Sequence, residues 1–429
     1  MVGRVMRCVA AARIGDENAD LAEDEIRHFV HAQLDAIALD GRSVCVLVPD
    51  ATRTCPVPLL LSAVHGALHG RVSRLTVLVA LGTHAGMDER ARATHLGYRP
   101  GEPGATYPAT EILDHAWWDP STFVDIGVVP AERVAQLSGG LLRHDATVRV
   151  NRAVVEHDVV LVVGPVFPHE VAGFSGGNKY LFPGVSGREL IDLSHWVGAL
   201  VGSAQIIGVT GPTPVRALID EAASMLSSER LAFCAVTRPG SDGLHALSFG
   251  DTVGAWAAVV DTAAASHIRY LDTPVRRVLS ILPERYADMW TGAKGFYKVE
   301  PVVADGGEVV ILAPHIREVS AMHPEIAEIG YHCRDYFVKQ WDRFRSRSWG
   351  DLAHCTHLRG AGTYDPTDGE RARVTVTLAT AIPEHTVSSV NLDYIDPGAI
   401  DIDAWADDPG TLVVRDAGEE LYRLRPSPS

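Results

Sequence analysis

Three short apolar runs constrain the fold of this chain more than any other feature of its sequence. They cover residues 43–48, 75–81 and 159–163, and almost every side chain in them is apolar. Runs of this length and composition are typical of strands that are buried on both faces, as in parallel sheets. Segments with helical spacing of apolar residues, such as residues 58–69, alternate with them. The alternation predicts parallel βαβ units and therefore an α/β fold.

The second half of the chain repeats this alternation on a smaller scale. Strand-like runs occur at residues 278–282, 308–313, 374–378 and 411–414. A chain of 429 residues is too long for one ordinary core, so we expect two domains, at residues 1–268 and 269–429. Each should contain a mostly parallel sheet flanked by helices. The default place for an active site is then the cleft between the domains.

Local signals predict further elements of the first domain. We expect an amphipathic helix within residues 16–38 and a helix at 214–227, with Thr213 as its N-cap and Pro214 at its first position. A strand at 231–236 and a helix at 252–265 should close the domain. Between Asp88 and Asn151 the pattern weakens, and we interpret this segment as loop with a peripheral strand and no functional role.

Composition excludes several classes of partner and compartment. The formal net charge of −16 disfavours binding to nucleic acid or to an anionic membrane surface. No apolar run approaches the ~20 residues of a membrane span, and arginines interrupt the first residues where a signal peptide would be apolar. The six cysteines, including Cys8, form no C-x-x-C pair, which favours a reducing, cytoplasmic location without disulfides.

The ends of the predicted strands bring polar residues to one edge of the sheet. Ligands of parallel α/β sheets bind beyond the carboxyl ends of the strands. The residues that directly follow the three apolar runs should therefore lie together: Asp50, Thr52, Arg53, Thr83, His84 and His169. Two imidazoles at such an edge suit proton transfer near neutral pH.

Residues 164–200 add a second group of reactive side chains after the third strand. The turn Gly173-Phe174-Ser175-Gly176-Gly177 precedes Lys179, and its glycines allow backbone N–H groups to form a concavity for an anion. The segment is not a P-loop, because Asn178 and Tyr180 stand where that motif needs glycine and serine or threonine. It is not a zincin helix either, because Gly173 replaces the second histidine.

The order and spacing of these residues resemble the signature of the nickel-dependent lactate racemase family. The matching run is H-x-x-A-G-F-S-G-G-x-K from His169 to Lys179, followed by Pro183-Gly184 and then by His195. The resemblance implies a nickel-pincer nucleotide, a pyridinium mononucleotide with two sulfur-containing arms that hold nickel. It also implies that Lys179 tethers this cofactor and that His195 is a nickel ligand. Five further residues are assigned to cofactor binding: Ser175, Gly176, Gly177, Asp50 and Thr52.

The resemblance also implies the catalytic residues and the reaction. His84 and His169 match the two catalytic histidines, Arg53 matches the residue that binds the substrate carboxylate, and Lys294 and Thr291 are assigned to the substrate. One histidine removes the hydroxyl proton of a 2-hydroxy acid while the α-hydrogen leaves as hydride. No side chain accepts a hydride, so the cofactor has to do so.

Several points remain open at this level. Thr291 replaces a glutamine of the lactate racemases and Ala85 a bulkier residue, so the substrate is expected to be lactate or a larger 2-hydroxy acid. Cofactor-assembly proteins are the expected partners. The alternatives are a diverged enzyme that acts on a hydroxy acid or sugar acid and a non-catalytic cofactor-binding protein. The histidines His315, His323, His332, His354 and His357 receive no role, although His323 is the one to test for substrate contact.

Overall fold

The three apolar runs form neighbouring parallel strands of a seven-stranded sheet in a computed structural model, which describes residues 9–426. Cys8 therefore lies outside the described residues. Five neighbouring strands, from Glu229–Thr237 to Thr110–Asp114, are parallel to one another. The two remaining strands, Ala12–Gly15 and Leu244–Asp251, are added at one edge by antiparallel pairing. The order across the sheet is Ala12–Gly15, Leu244–Asp251, Glu229–Thr237, Val159–Pro165, Ser43–Pro49, Arg74–Ala80 and Thr110–Asp114.

A second sheet of five parallel strands forms in the second half of the chain. Its order is Asp393–Tyr394, Thr375–Thr380, Val303–Ala313, Val275–Ile281 and Thr411–Val414. The four strands predicted from the sequence are all present, Thr411–Val414 with the predicted ends and the other three with shifted ends. The α/β fold with two mostly parallel sheets is confirmed, while the exact boundary at residues 268 and 269 stays a prediction.

Helices cover the faces of both sheets. Those of the first half are Glu23–Asp35, Val57–Leu68, Glu89–Leu96, Pro103–Thr106, Ala131–Leu137, Arg152–Val155, Arg188–Val201, Ser203–Ile206, Pro214–Ser224, Thr252–Ala257 and Val260–His267. Those of the second half are Met289–Gly292, Lys294–Tyr297, Ile326–Ile329, Arg334–Lys339, Trp341–Phe344, Trp349–Arg359, Glu384–Ser389 and Ile402–Ala406. The predicted cap is present, since the Thr213 side chain accepts a hydrogen bond from the Arg216 N–H at 3.1 Å. No helix within residues 9–426 is both long and apolar enough to cross a bilayer.

The interpretation of residues 88–151 as loop with a peripheral strand is wrong in most of its length. The Glu89–Leu96 helix is short, but Asp88 caps its start and Gly97 ends it with a φ of 79°. Strand Thr110–Asp114 is the peripheral strand of the main sheet, and Phe123–Val129 pairs with Ala146–Asn151 as a hairpin. Weak apolar periodicity hid these elements, because capping and tertiary packing stabilise them more than an amphipathic pattern does.

The two halves of the chain share one continuous apolar core. Buried residues such as Val162 and Phe174 of the first half belong to the same cluster as Phe296 and Val309 of the second. The C-terminal segment comes back to the end of the first half, where strand Leu421–Leu424 pairs in parallel with Ile268–Leu271. The return keeps the carboxyl ends of the two sheets close to each other.

Candidate active site

A cavity lies where the loops that follow the strands of both sheets meet. It contains about 1000 Å³ of space not filled by atoms, part of it open to solvent. Most of the site residues expected from the sequence line it: Asp50, Arg53, His84, His169, Ser175, Gly176, Lys179, His195 and Lys294. Thr52, Gly177 and Thr291 lie behind this lining.

His84 and Asp50 form a hydrogen-bonded pair at the ends of two adjacent strands. The Nδ1 of His84 lies on the Asp50 carboxylate, and the Thr52 hydroxyl donates to the other carboxylate oxygen at 2.8 Å. Burial raises the pKa of Asp50, but the charge and hydrogen bond of His84, together with Arg53 and Thr52, bring it below its usual range. The ionised carboxylate holds the proton of His84 on Nδ1, which leaves Nε2 as a base. Thr52 therefore acts on Asp50 and does not face the cavity.

His169 has the opposite arrangement of its ring nitrogens. Its Nδ1 accepts the Val171 N–H at 3.1 Å, so the neutral ring carries its proton on Nε2. Burial and the positive charges of Lys179 and Arg53 bring the pKa of His169 well below its usual value. His169 is therefore a neutral hydrogen-bond donor near neutral pH, whereas His84 is a base.

Lys179 presents an amine without a partner to the cavity. Its Nζ makes no hydrogen bond or ion pair with any residue from 9 to 426, while Lys339 at the surface is paired with Asp335. Burial, with the positive charge of Arg53, lowers the pKa of Lys179 from 10.5 to about 7, and Glu170 opposes this effect. A large fraction of the amine is therefore neutral and nucleophilic at physiological pH.

His195 lies on the Arg188–Val201 helix and offers one free ring nitrogen. Its Nδ1–H donates to the Ile191 carbonyl one turn earlier, at 2.7 Å, so Nε2 keeps its lone pair. Burial lowers the pKa of His195 to about 4 against this hydrogen bond, and the charge of Lys179 lowers it further. A neutral imidazole oriented by a backbone carbonyl is the usual form of a metal-binding histidine. Among the described residues, no group of three or more His, Cys, Asp or Glu side chains could hold a metal ion.

Arg53 keeps its whole guanidinium available. No side chain or carbonyl of the described residues accepts a hydrogen bond from it, and its nearest ring contact is Phe167, 5.2 Å from the ring centroid. Burial lowers the pKa of Arg53, but the negative charges of Asp50 and Glu170 raise it in net. A charged planar fork with unused donors suits a carboxylate.

The glycine loop is fixed from behind by packing and hydrogen bonds. The Ser175 hydroxyl donates to the Pro165 carbonyl at 2.8 Å and accepts the Phe167 N–H at 3.1 Å. A Cβ on Gly177, which has a φ of 59°, would lie 2.6 Å from the Thr252 carbonyl oxygen. These contacts require glycine at this position whether or not a ligand is bound. Ser175 and Gly177 therefore shape the loop, and only Gly176 and Ser175 also reach the cavity wall.

The expected substrate residues of the second half are only partly at the cavity. Lys294 lines it, and burial followed by the charge of Arg53 lowers the pKa of Lys294 to about 7. The Thr291 hydroxyl instead donates to Asp288 at 3.2 Å, and its neighbour Trp290 forms the wall. The argument that a small residue at position 291 enlarges the site therefore lacks support, and so does the one for Ala85, which is exposed.

His323 connects the two halves of the chain and does not line the main cavity. Its ring stacks on Trp290 with centroids 3.6 Å apart, and Trp117 lies on its other side at 6.1 Å. Its Nδ1 pairs with Asp351 at 2.9 Å, and its Nε2 lies 3.4 Å from the Thr83 carbonyl. Both nitrogens therefore have partners within the protein, and a substrate contact of His323 stays a prediction.

Sequence reasoning missed four residues of the cavity wall and one residue behind it. The wall residues are Glu170, Tyr297, His354 and His357, and the residue behind it is Lys298. Lys298 is 2% exposed and donates to the carbonyls of Pro168 at 2.5 Å and Glu419 at 3.1 Å. A signal existed for the two histidines, since they lie three residues apart in a helical segment. Nothing in the sequence showed which face of that helix meets the cavity.

The first half of the chain matches a known family. Residues 10–207 match the family model described as the lactate racemase N-terminal domain. Two curated relatives are the lactate racemases of Thermoanaerobacterium thermosaccharolyticum and Lactiplantibacillus plantarum, which are 26% identical over 167 residues and 29% identical over 169 residues. Each match covers 38% of this chain and 34% of the relative. The chain thus matches about a third of the length of these relatives.

Two solved structures share the fold of this chain. A crystal structure of a protein from Thermotoga maritima has a TM-score of 0.87 at 29% identity, with 96% of this chain and 100% of that chain covered. The lactate racemase apoprotein from Thermoanaerobacterium thermosaccharolyticum has a TM-score of 0.69 at 18% identity, with 94% of each chain covered. The latter likeness shows that the fold is shared.

The pKa of Lys179 gives a direct test of the electrostatics of this site. The chain has only four lysines, Lys179, Lys294, Lys298 and Lys339, so trace acetylation followed by peptide mass spectrometry resolves each of them. We expect the acetylation rates of Lys179 and Lys294 to reach half of their maximum near pH 7, with exposed Lys339 as the surface control. A Lys179 rate that keeps rising to pH 10, as for a free alkylamine, would contradict the assignment.

Proposed function

We propose that this protein is a racemase or epimerase of a 2-hydroxy acid, because residues 10–207 match the lactate racemase N-terminal domain. One observation supports this proposal above others. The same cavity is lined by five groups that this reaction needs. They are the base His84, the neutral hydrogen-bond donor His169, the unpaired guanidinium of Arg53, the amine of Lys179 with its lowered pKa, and the imidazole of His195, which can bind a metal. A carrier protein would need only the last two groups.

The residues present fit the nickel-pincer nucleotide that the family resemblance implies. Lys179 offers a neutral amine for an amide-type tether, and His195 offers a free Nε2 to nickel. His195 alone cannot hold a metal, so the remaining ligands would belong to the cofactor itself. When bound, the cofactor would supply a hydride acceptor for the α-hydrogen, which is chemistry that no side chain supplies.

The protein side chains then orient the substrate and move its hydroxyl proton. Arg53 binds the carboxylate through two parallel N–H groups. The Nε2 of His84 takes the hydroxyl proton, and the Asp50 carboxylate stabilises the resulting imidazolium. The Nε2–H of His169 donates a hydrogen bond to the same oxygen as it becomes a carbonyl oxygen. The proton returns to the oxygen from His84 when the alcohol is formed again.

The two histidines are not equivalent in this structure, although two equivalent bases were expected. Asp50 holds His84 in one tautomer, and the Val171 N–H holds His169 in the other. Burial also disfavours a second positive charge on His169 next to Lys179 and Arg53. The hydrogen bonds to Asp50 and Val171 thus favour one base and one neutral donor on the same oxygen, whereas the Glu170 carboxylate, 3.4 Å from the Nδ1 of His169, favours the other tautomer of that ring.

The fate of the α-hydrogen tests the proposed reaction. Protein co-produced with the cofactor-assembly proteins is incubated in D₂O with one enantiomer of a 2-hydroxy acid. We expect the opposite enantiomer to form with its original α-hydrogen, because a returned hydride does not exchange with solvent. Proton NMR with a chiral shift reagent measures both quantities. Deuterium at the second carbon, or no inversion by nickel-loaded protein, would contradict the proposal.

The Asp50→Asn substitution tests the base assigned to His84. An amide can donate to Nδ1 and favour the wrong tautomer, so we expect kcat to fall by roughly 10² to 10⁴-fold. Nickel content should be unchanged, because Asp50 acts on His84. The matched control is Asp88→Asn at an exposed helix N-cap, where asparagine caps equally well. Wild-type kcat in the Asp50→Asn variant would refute the role.

A further inference from the structure

One turn of the Trp349–Arg359 helix carries two histidines to which the proposed reaction gives no role. His354 and His357 lie three residues apart, so they share one face of the helix, and both line the cavity. They are 7% and 3% exposed. Imidazoles buried this deeply are normally hydrogen-bonded through both nitrogens.

His357 has a hydrogen bond on one side of its ring only. The Ser203 hydroxyl pairs with its Nδ1, and Ser203 lines a second, separate cavity behind the ring. The Nε2 on the opposite edge is buried and has no hydrogen-bond partner within residues 9–426. His357 also lines the main cavity, so a ligand bound there is the remaining candidate partner for this nitrogen.

Glu170 supplies an anionic group next to His357. It lines the same cavity, and its charge is the main factor that opposes the effect of burial on His357, whose pKa is about 4. Burial raises the pKa of Glu170, but the charge that His357 carries only when protonated, a backbone hydrogen bond, and the charges of Lys179 and Arg53 bring it below its usual value. The pair is therefore an ionised carboxylate beside a neutral imidazole.

The chemistry of this pair selects among substituents on the substrate. A carboxylate only accepts hydrogen bonds, and a neutral imidazole has one N–H and one lone pair. A hydroxyl can donate to Glu170 and pair with His357 at the same time. A methyl group would leave the buried Nε2 unpaired, and a second carboxylate would lie beside the charge of Glu170.

We propose that Glu170 and His357 form a hydroxyl-binding subsite for the third carbon of the substrate, whose preferred class is therefore a 2,3-dihydroxy acid. This inference rests on the proposed function and names the substrate class of the same site. Arg53 binds the carboxylate, His84 and His169 bind the 2-hydroxyl, and the subsite binds the neighbouring hydroxyl. The Oε2 of Glu170 lies 3.4 Å from the Nδ1 of His169, which brings the two hydroxyl sites together.

The amines of the cavity would favour a second carboxylate if they carried full charge. Burial lowers the pKa of both Lys179 and Lys294 to about 7, which removes much of this charge at neutral pH. Lys179 also loses its charge altogether once it forms an amide. The permanent charge is that of Arg53, which the first carboxylate neutralises.

Three probe acids separate the possibilities. Lactate, glycerate and malate carry on their third carbon no further group, a hydroxyl and a carboxylate, respectively. Equilibrium binding to nickel-loaded protein is measured by calorimetry, and inversion at the second carbon is measured separately by NMR. We expect glycerate to bind at least about 10-fold more tightly than either lactate or malate, because only glycerate can pair with both side chains of the subsite.

Substitution of the subsite should remove this selectivity. In His357→Leu and Glu170→Gln we expect the ratio of the lactate and glycerate Kd values to fall to about 1. His357→Asn retains a polar side chain and guards against a folding defect, so we expect an intermediate ratio. His69→Leu, at an exposed histidine far from the cavity, is the matched control and should keep the wild-type ratio.

The outcomes distinguish the subsite from the reaction. If the enzyme inverts lactate or malate and binds either of them more tightly than glycerate, the subsite is wrong and the proposed function stands. Loss of nickel and of the Lys179 adduct in both variants also overturns it, because the pair would then hold the cofactor. If no acid binds or is inverted by fully loaded protein, the proposed function and the subsite both fail.

Discussion

Removal of water from ionisable groups is the physical constraint on which this structure depends. Three basic groups and one acidic group lie in one cavity: Lys179, Lys294, His195 and Asp50. Burial keeps the first three neutral, or largely so, at physiological pH. The same burial leaves Asp50 ionised only because His84, Arg53 and Thr52 surround it. A nucleophilic amine, a metal-competent imidazole and a fixed base thus result from one desolvated volume.

That volume exists only because both halves of the chain enclose it. Lys298 of the second half reaches the carbonyl before His169 and the carbonyl of Glu419 in the C-terminal return. Glu419 in turn pairs with Thr54, next to Arg53. The loops that carry His169 and Arg53 are therefore fixed by residues far away in the sequence. Separation of the two halves would expose Lys179 and His195 to water and restore their ordinary pKa values.

The sequence predicted the edge of the first sheet better than the second half of the site. Asp50, Arg53, His84 and His169 lie together because parallel neighbouring strands end on one side, which is a consequence of topology alone. Thr291 and His323 were expected at the substrate, but Trp290 forms the wall and His323 stacks between two tryptophans. Short helices of one turn have no periodicity that tells which side faces a cavity. Glu170, His354 and His357 were missed for a different reason, since their place at the cavity depends on how the second sheet packs against the first.

The most direct test of this account is the chemical state of Lys179 in protein co-produced with the cofactor-assembly proteins. Nickel content and intact mass are measured first, and peptide mapping then locates any increment. The account predicts stoichiometric nickel and one added mass on the Lys179 peptide, with Lys294, Lys298 and Lys339 unmodified. Neither nickel nor an adduct, while a lactate racemase loads normally under the same conditions, would contradict it.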